Sequence, residues 1–131
     1  MALTVAAASA QAMGAALATN IGASSTIKIY SGSKPATPET AASGTLLVTV
    51  TIVGSWTSSG GALTAADPGA VNPAASGTAG YFRVSTSGGT AVLDGTVTAT
   101  GGGGDMTLGT TTVTVGTNVD LGIPTITVPV A

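Results

Sequence analysis

The fold predicted for this chain is built around the stretch Gly77–Ala99, GTAGYFRVSTSGGTAVLDGTVTA. Two runs of alternating apolar and polar residues flank Gly88-Gly89, and alternation with a period of two is typical of β-strands. Two adjacent glycines can both adopt the positive φ that a two-residue hairpin turn requires. The sequence therefore predicts a β-hairpin centred on Gly88-Gly89.

A turn at this position also fixes which residues of the two strands lie opposite each other. It gives three cross-strand pairs: Phe82 with Gly95, Arg83 with Asp94, and Val84 with Leu93. An aromatic ring has room to lie over a glycine, and opposite charges on paired strands attract each other. A register slip of one residue would turn the apolar residues to solvent. We therefore predict a structural ion pair between Arg83 and Asp94.

The amino-acid composition indicates that the surface of this fold carries few charges. The chain of 131 residues is long enough for one domain with its own apolar core. Charged residues make up only 6% of it, against about a quarter of an average soluble domain. Ser, Thr, Ala and Gly must therefore cover much of the surface, which loses its water at little cost in free energy. This composition favours a protein that packs against other proteins.

The composition also argues against several classes of function. Cys and His are absent, which excludes thiol catalysis, thiolate metal sites and the commonest general base. A calcium site at Asp105 and Asp120 lacks the clustered acidic motif of calcium loops. Three cations, Lys28, Lys34 and Arg83, are too few for a phosphate-binding surface. We predict that the chain is not an enzyme, needs no cofactor or metal and binds no nucleic acid.

The segment Met1–Ile21 is rich in Ala and contains no Pro, which favours a helix. Its apolar residues recur at spacings of three or four and include Leu3, Met13 and Leu17. A signal peptide is the alternative, but the segment has no basic residue before its apolar run. Polar residues interrupt the segment, which argues against a membrane span. We expect a helix that docks on the chain or on a partner.

Three further strands are predicted before the hairpin, of which Gly61–Ala66 is short and weak. Ser25–Ser31 alternates, with Tyr30 on the outward side. Thr45–Gly54 has the strongest strand pattern in the chain and is expected in the centre of the sheet. Trp56 follows this strand, where it either caps the core or projects into an interface.

The segment Gly32–Gly44 lies between the first two of these strands and has the composition of a loop. It contains Pro35 and Pro38 and no large apolar residue. A polyproline II ligand is one interpretation, but no cluster of basic residues accompanies the prolines. We expect instead an ordered arm that lies on a neighbouring subunit.

Glycines also organise the part of the chain that follows the hairpin. The four glycines Gly101–Gly104 could form a phosphate-binding loop, but no Lys follows them and Asp105 would repel a phosphate. We therefore predict that they form a flexible crossover. The residues at 116–118, Gly-Thr-Asn, suit a three-residue hairpin loop. Such a loop would pair Val115 with Val119.

The final segment, Ile123–Val130, contains Pro124 and Pro129, which place it at a sheet edge or a subunit boundary. In total, about seven or eight short strands are separated by frequent turn signals. The sequence therefore predicts a mainly β fold, an antiparallel, jelly-roll-like β-sandwich over residues 23–131, with an N-terminal helix or arm over residues 1–22.

Several segments together resemble small β-rich virion proteins of tailed bacteriophages. They are the Ala-rich N-terminal segment, IKIYSG followed by KPATPET, TLLVTVTI, YFRVSTSGGTAVLDGTV, and GGGGDMTLGTTTVTVGTNVDLGIPTITVP. The resemblance runs over nearly the whole chain and specifies a framework without an active site. It implies a structural protein of the virion, and we expect a capsid decoration or cement protein on the outer surface of the shell.

The expected function is therefore to cement neighbouring capsomers through contacts between subunits. The expected partners are the major capsid protein and further copies of the chain, as a dimer or trimer, with no membrane contact. The interface candidates are Leu3, Met13, Leu17, Tyr30, Pro35, Pro38, Trp56, Tyr81, Pro124 and Pro129. Two alternatives stay open: a tail or neck component, and a carbohydrate-binding adhesive module that uses Trp56, Tyr30 and Tyr81.

Overall fold

A computed structural model describes residues 6–59, 62–121 and 125–127 of the chain. Strands make up 40% of it and accompany one helix, which confirms the mainly β fold. The elements in chain order are α1 (Ala7–Ile21), β1 (Thr26–Ser31), β2 (Leu46–Thr51), β3 (Thr57–Ser59), β4 (Ala62–Thr64), β5 (Ala70–Val71), β6 (Gly77–Ser85), β7 (Ala91–Ala99), β8 (Met106–Leu108), β9 (Thr112–Val113), β10 (Val119–Asp120) and β11 (Thr125–Thr127).

The largest sheet has the strand order β2-β1-β6-β7-β8, and β9 also pairs with β6. The sheet is curled into a half-barrel. Strands β3, β4 and β11 form a second sheet, and β5 pairs with β10. The pairing of β7 with β8 is parallel, so the predicted all-antiparallel arrangement is wrong at this point.

The parallel pair depends on a very short return of the chain. Parallel neighbours ordinarily need a connection of about a dozen residues or more, whereas residues 100–105 alone join β7 to β8. Gly101 and Gly103 adopt φ angles of +88° and +79°, which most other residues avoid. The N–H of Gly104 donates to Thr98 Oγ1 at 2.9 Å. The predicted flexible crossover is therefore a compact loop tied to its own strand.

The hairpin of β6 and β7 has the predicted register at its centre. The three expected pairs are all present: Phe82 with Gly95, Arg83 with Asp94, and Val84 with Leu93. A Cβ atom at position 95 would overlap the ring of Phe82, so the ring uses the space that the missing side chain leaves. Both the ring and Val84 belong to the apolar core.

The predicted two-residue turn at Gly88-Gly89 is wrong. The N–H of Thr86 donates to the carbonyl of Thr90 at 2.9 Å, which leaves a three-residue loop between them. Only Gly89 in this loop has a positive φ, +92°, as expected for the last residue of a three-residue hairpin loop. A register shift near Val92 absorbs the extra residue and restores the predicted pairing beyond it.

Strand β2 differs from its prediction in its position in the sheet and in which of its side chains face the core. It lies at one end of the strand order and not in the centre. A register shift in its pairing with β1 turns Leu47 and Val48 both into the core and leaves Leu46 half-buried. A β-bulge has this effect because it inserts one residue into the alternation.

The helix α1 is confirmed over Ala7–Ile21, while Met1–Val5 lie outside the described residues. It ends at Gly22, whose N–H donates to the carbonyl of Ala18 at 3.0 Å. The helix packs on β3 and β4 of the second sheet. Ile21 from the helix joins the same buried cluster as the strand residues.

The hairpin predicted around residues 116–118 is wrong. Strand β9 pairs with β6, and β10 pairs with β5, so the two strands have separate partners. The N–H of Val115 donates to Ser76 Oγ at 3.0 Å, and that of Gly116 donates to Asn72 Oδ1 at 3.1 Å. These acceptors on a distant segment replace the local ladder that the alternation indicated.

The final strand is confirmed at a sheet edge for the part that the structure describes. Strand β11 is the end strand of the order β11-β4-β3. Pro124 and Pro129, which led to this prediction, lie outside the described residues.

Candidate interaction surfaces

The predicted pair of Arg83 and Asp94 is present as a buried ion pair. Nε of Arg83 donates to Asp94 Oδ1 at 2.7 Å, and Nη2 donates to Oδ2 at 2.8 Å. The side chains are only 8% and 2% exposed. The hydrogen bond to Asp94 raises the pKa of the Arg83 guanidinium above its ordinary value. Buried ions need such a two-point contact to offset the loss of their water.

Tyr81 lies on the same face of the sheet, two residues from Arg83. Its ring stacks on that of Tyr30, with centroids 5.1 Å apart and planes 10° from parallel. Its hydroxyl donates to the carbonyl of Ser43 at 2.6 Å and accepts the N–H of the same residue at 2.9 Å. Burial raises the pKa of Tyr30 above its ordinary value of 10.0.

The loop between β1 and β2 covers this face of its own sheet. Besides the contact at Ser43, the carbonyl of Thr40 accepts a hydrogen bond from Arg83 Nη2 at 2.9 Å. The segment predicted to lie on a neighbouring subunit therefore folds back on the chain. The cause is the need of buried Arg83 and Tyr81 for hydrogen-bond partners, which the loop backbone supplies. Pro35 and Pro38 in this loop remain half-buried.

A groove of about 430 Å³ lies between the helix and the residues around Trp56. It is lined by Gln11, Ala15, Ala18, Thr19, Gly22, Ser55, Trp56 and Ser58, none of which is charged. Gln11 Nε2 donates to the carbonyl of Ser58 at 3.1 Å, which joins the helix to the outer side of β3. The hydroxyl of Ser58 is buried and has no hydrogen-bond partner among the described residues.

Trp56 is only 4% exposed and caps the apolar core. Its Nε1 donates to the buried Ser25 Oγ at 2.9 Å. Tyr81 is fully buried. Buried rings of this kind offer little surface to a partner or a sugar, so the stacking platform required by the adhesive alternative is not formed by Trp56 and Tyr81.

The remaining interface candidates divide between the helix and the undescribed termini. Met13 is 43% exposed on the helix, whereas Leu17 is half-buried and packs against the core. Leu3, Pro124 and Pro129 lie outside the described residues. The structure thus brings Tyr30 and Tyr81 together and leaves the large apolar side chain of Met13 exposed on the helix.

Two of the carboxylates, those of Asp105 and Asp67, accept hydrogen bonds at a loop and a turn of the described part of the chain. Asp105 Oδ2 accepts the N–H of Thr96 at 2.9 Å and its hydroxyl at 3.1 Å. Asp67 Oδ1 accepts the N–H of Gly69 at 2.8 Å, as expected of a turn-forming Asp. Within residues 6–59, 62–121 and 125–127, no three acidic, His or Cys side chains cluster as metal ligands do. No helix there has the length and apolarity of a membrane span.

Sequence reasoning missed the covering of the polar face by the loop. The available signal was Arg83, a charged residue inside a strand whose neighbours are apolar or aromatic. Such a residue requires acceptors beyond its one carboxylate partner, because a guanidinium has five N–H donors. The nearby Gly- and Pro-rich loop was the segment able to supply them.

No known protein family, curated protein or solved structure matches this chain. The resemblance to phage virion proteins therefore stays a prediction.

Proposed function

We propose that this chain is a non-enzymatic structural protein of a phage virion, which decorates the outer surface of the capsid and cements neighbouring capsomers. The observation that carries the proposal is the neutrality of its surface. Charged residues are 6% of the chain, and two of them, Arg83 and Asp94, are buried against each other. A Ser, Thr, Ala and Gly surface sheds water at little cost, which suits repeated contacts between subunits.

The proposed partners are the major capsid protein and further copies of the chain, in a dimer or trimer. The outer side of α1 supports this proposal. Ala12, Met13, Ala16 and Asn20 are exposed there, and the chain has no charged residue before Lys28. A neutral helix face docks without stripping ions of water. Neither nucleic acid nor a membrane is a proposed partner.

We also infer that the half-barrel and the second sheet form the two layers of a jelly-roll-like sandwich. One apolar cluster contains Ile27 and Val50 of the large sheet together with Leu63 of β4. Facing sheets of a sandwich share a core in this way. An experimental structure with the two sheets about 10 Å apart would support the inference, and sheets joined edge to edge would contradict it.

The test of the function is the molar ratio of this chain to the major capsid protein in purified virions, measured by quantitative mass spectrometry. We expect a ratio near one, or a simple fraction of it, as for a protein present over the whole shell. The tail tube protein of the same particles gives the reference for a tail component. A ratio of a few per cent would move the chain to the tail or neck, and its absence from virions would overturn the proposal.

A further inference from the structure

Strand β2 presents backbone hydrogen-bonding groups at the end of the large sheet. It pairs with β1 on one side, and no strand that the structure describes pairs with its other side. The N–H of Ile52 donates to the carbonyl of Ser25 at 2.8 Å, which fixes the alternation of inward and outward groups. By this alternation, the N–H and C=O groups of Thr49 and Thr51 point away from β1.

Among the described residues, the outer side of β2 is covered at one end only. There, the N–H of Ala74 donates to the carbonyl of Leu47 at 2.8 Å. Within the described residues, no other segment bonds to the outward groups of Thr49 and Thr51, whose side chains are exposed. Val53, two residues further along, is 76% exposed.

The other end strands of the sheets are shorter, and one of them is partly covered. Gln11 covers the carbonyl of Ser58 on β3, and β3, β8 and β11 each have three residues. Strand β2 has six residues, LLVTVT, with no charge and no Pro. Folded proteins normally protect such an edge with a charge, a Pro or a cover, because it pairs readily with another strand.

We propose that two copies of this chain pair through their β2 edges, antiparallel about a two-fold axis at Val50. Thr49 of one copy then lies opposite Thr51 of the other, and the two pairs exchange four backbone hydrogen bonds. This inference deepens the self-association in the proposed function and rests on it. It joins the two large sheets into one continuous sheet across the dimer.

The absence of charge on this edge favours a second copy of the chain as its partner. The edge is neutral, so two identical edges meet without repulsion, and Thr–Thr pairs across strands are favourable. Lys28 is the nearest cation, on β1 beside Thr49. The two Lys28 residues of a dimer would be three strand spacings apart across the sheet and two residues apart along it, a distance of about 16 Å. This separation exceeds the screening length of about 8–10 Å in physiological salt.

The pairing is expected to be weak in solution. An edge contact of this length buries much less than the roughly 1,200 Å² of stable interfaces. On a capsid, where copies are held side by side, the effective concentration rises and the same contact becomes populated.

The first test is sedimentation velocity over about 1 µM to 1 mM, a range set by weak affinities. We expect wild type to form dimers at the upper end, and T49K/T51K to remain monomeric because lysines then face lysines. T107K is the matched control, since Thr107 is an exposed threonine on β8 at the opposite edge of the sheet. It should dimerise like wild type, and unchanged melting temperatures show that the variants fold.

The second test measures the register. The chain has no cysteine, so T49C/T51C introduces the only thiols. Directly opposed residues of a hydrogen-bonded pair have Cα atoms about 5.5 Å apart, which a disulfide spans. Mild oxidation should give a covalent dimer with 49–51 links between copies, whereas T107C should give far less.

Wild type that stays monomeric at 1 mM, or T49K/T51K that still dimerises, would overturn the proposal. Monomeric wild type together with loss of shell binding in T49K/T51K would assign the edge to the capsid protein instead. The molar ratio of this chain to the major capsid protein in virions tests the proposed function independently of the edge pairing. A shell-wide ratio without dimers rejects the edge pairing alone, and dimers without virion incorporation reject the proposed function alone.

Discussion

The polar face beneath the Gly32–Gly44 loop and the outer edge of β2 differ in whether their polar groups have hydrogen-bond partners within the chain. Under the loop, Arg83 and Tyr81 are buried, and their polar atoms form hydrogen bonds within the chain, to Asp94, Thr40 and Ser43. At the edge, exposed Thr49 carries backbone groups that no described segment pairs. On the covered face the chain supplies its own hydrogen-bond partners, whereas at the β2 edge it leaves hydrogen-bonding capacity for a partner.

The largest effect is expected on the covered face, from Arg83→Met. This change leaves Asp94 buried without its counter-ion, and breaking a buried pair in this way costs about 3–5 kcal/mol of unfolding free energy. Urea unfolding followed by circular dichroism measures the loss. The control R83M/D94L removes both charges and should recover much of the stability. A loss below about 1 kcal/mol in R83M, the size seen for exposed ion pairs, would show that the face is not closed.

Tyr81→Phe tests the attachment of the loop. It removes the hydroxyl that bonds both backbone groups of Ser43 and should cost about 1–3 kcal/mol. Local opening should then raise the rate of cleavage after the exposed Glu39 by a glutamate-specific protease at least about fivefold. Tyr30→Phe is the matched control because it leaves the contact to Ser43 in place. Equal cleavage rates in all three proteins would mean that the hydroxyl does not hold the loop.

Ser25→Ala extends the comparison to the core beneath Trp56. The change leaves the indole N–H buried without an acceptor, which costs about 1–3 kcal/mol. The melting temperature should fall, while Ser55→Ala, at an exposed position beside Trp56, should leave it nearly unchanged. Equal melting temperatures for the two variants would contradict the described hydrogen bond.

The smallest effect concerns the pH dependence of stability. Burial raises the pKa of Tyr30 above 10.0, so the folded state keeps this proton at a pH where the unfolded chain loses it. Stability from this group is therefore present below about pH 10 and falls as the pH rises through the folded pKa. Wild type should lose more stability than Tyr30→Phe between pH 9 and pH 11, measured by urea midpoints. A parallel loss in both would contradict the partial burial of the phenol.

The sequence predicted those parts of the fold that depend on local pattern. The register of Arg83 with Asp94 followed from alternation on both sides of one short turn. The turn length was wrong because a bulge at Val92 compensates for a longer loop, and both arrangements give the same central pairs. Alternation also suggested that Val115 would pair with its neighbour in sequence, but it cannot reveal a competing acceptor on a distant segment such as Ser76.

The interaction surfaces were harder to predict because they depend on which faces are closed. Tyr30 was predicted on the outward side of its strand and Tyr81 at an interface, yet their rings stack on each other and the loop predicted to be an outward arm binds the Tyr81 hydroxyl. The position of β2 at the end of its sheet was also missed. Strong β-propensity in TLLVTVTI is expected of a central strand and of an unprotected edge alike, since both need a pleated, half-buried surface.

Amide hydrogen exchange measured residue by residue by NMR tests the contrast most directly. At low concentration, we predict that the N–H of Ser43, bonded to Tyr81, exchanges slowly, whereas the N–H groups of Thr49 and Thr51 exchange quickly. At concentrations that favour dimers, the two threonine amides should become protected and Ser43 should not change. Rapid exchange at Ser43, or protection of both threonines in the dilute monomer, would contradict the account of a closed face and an open edge.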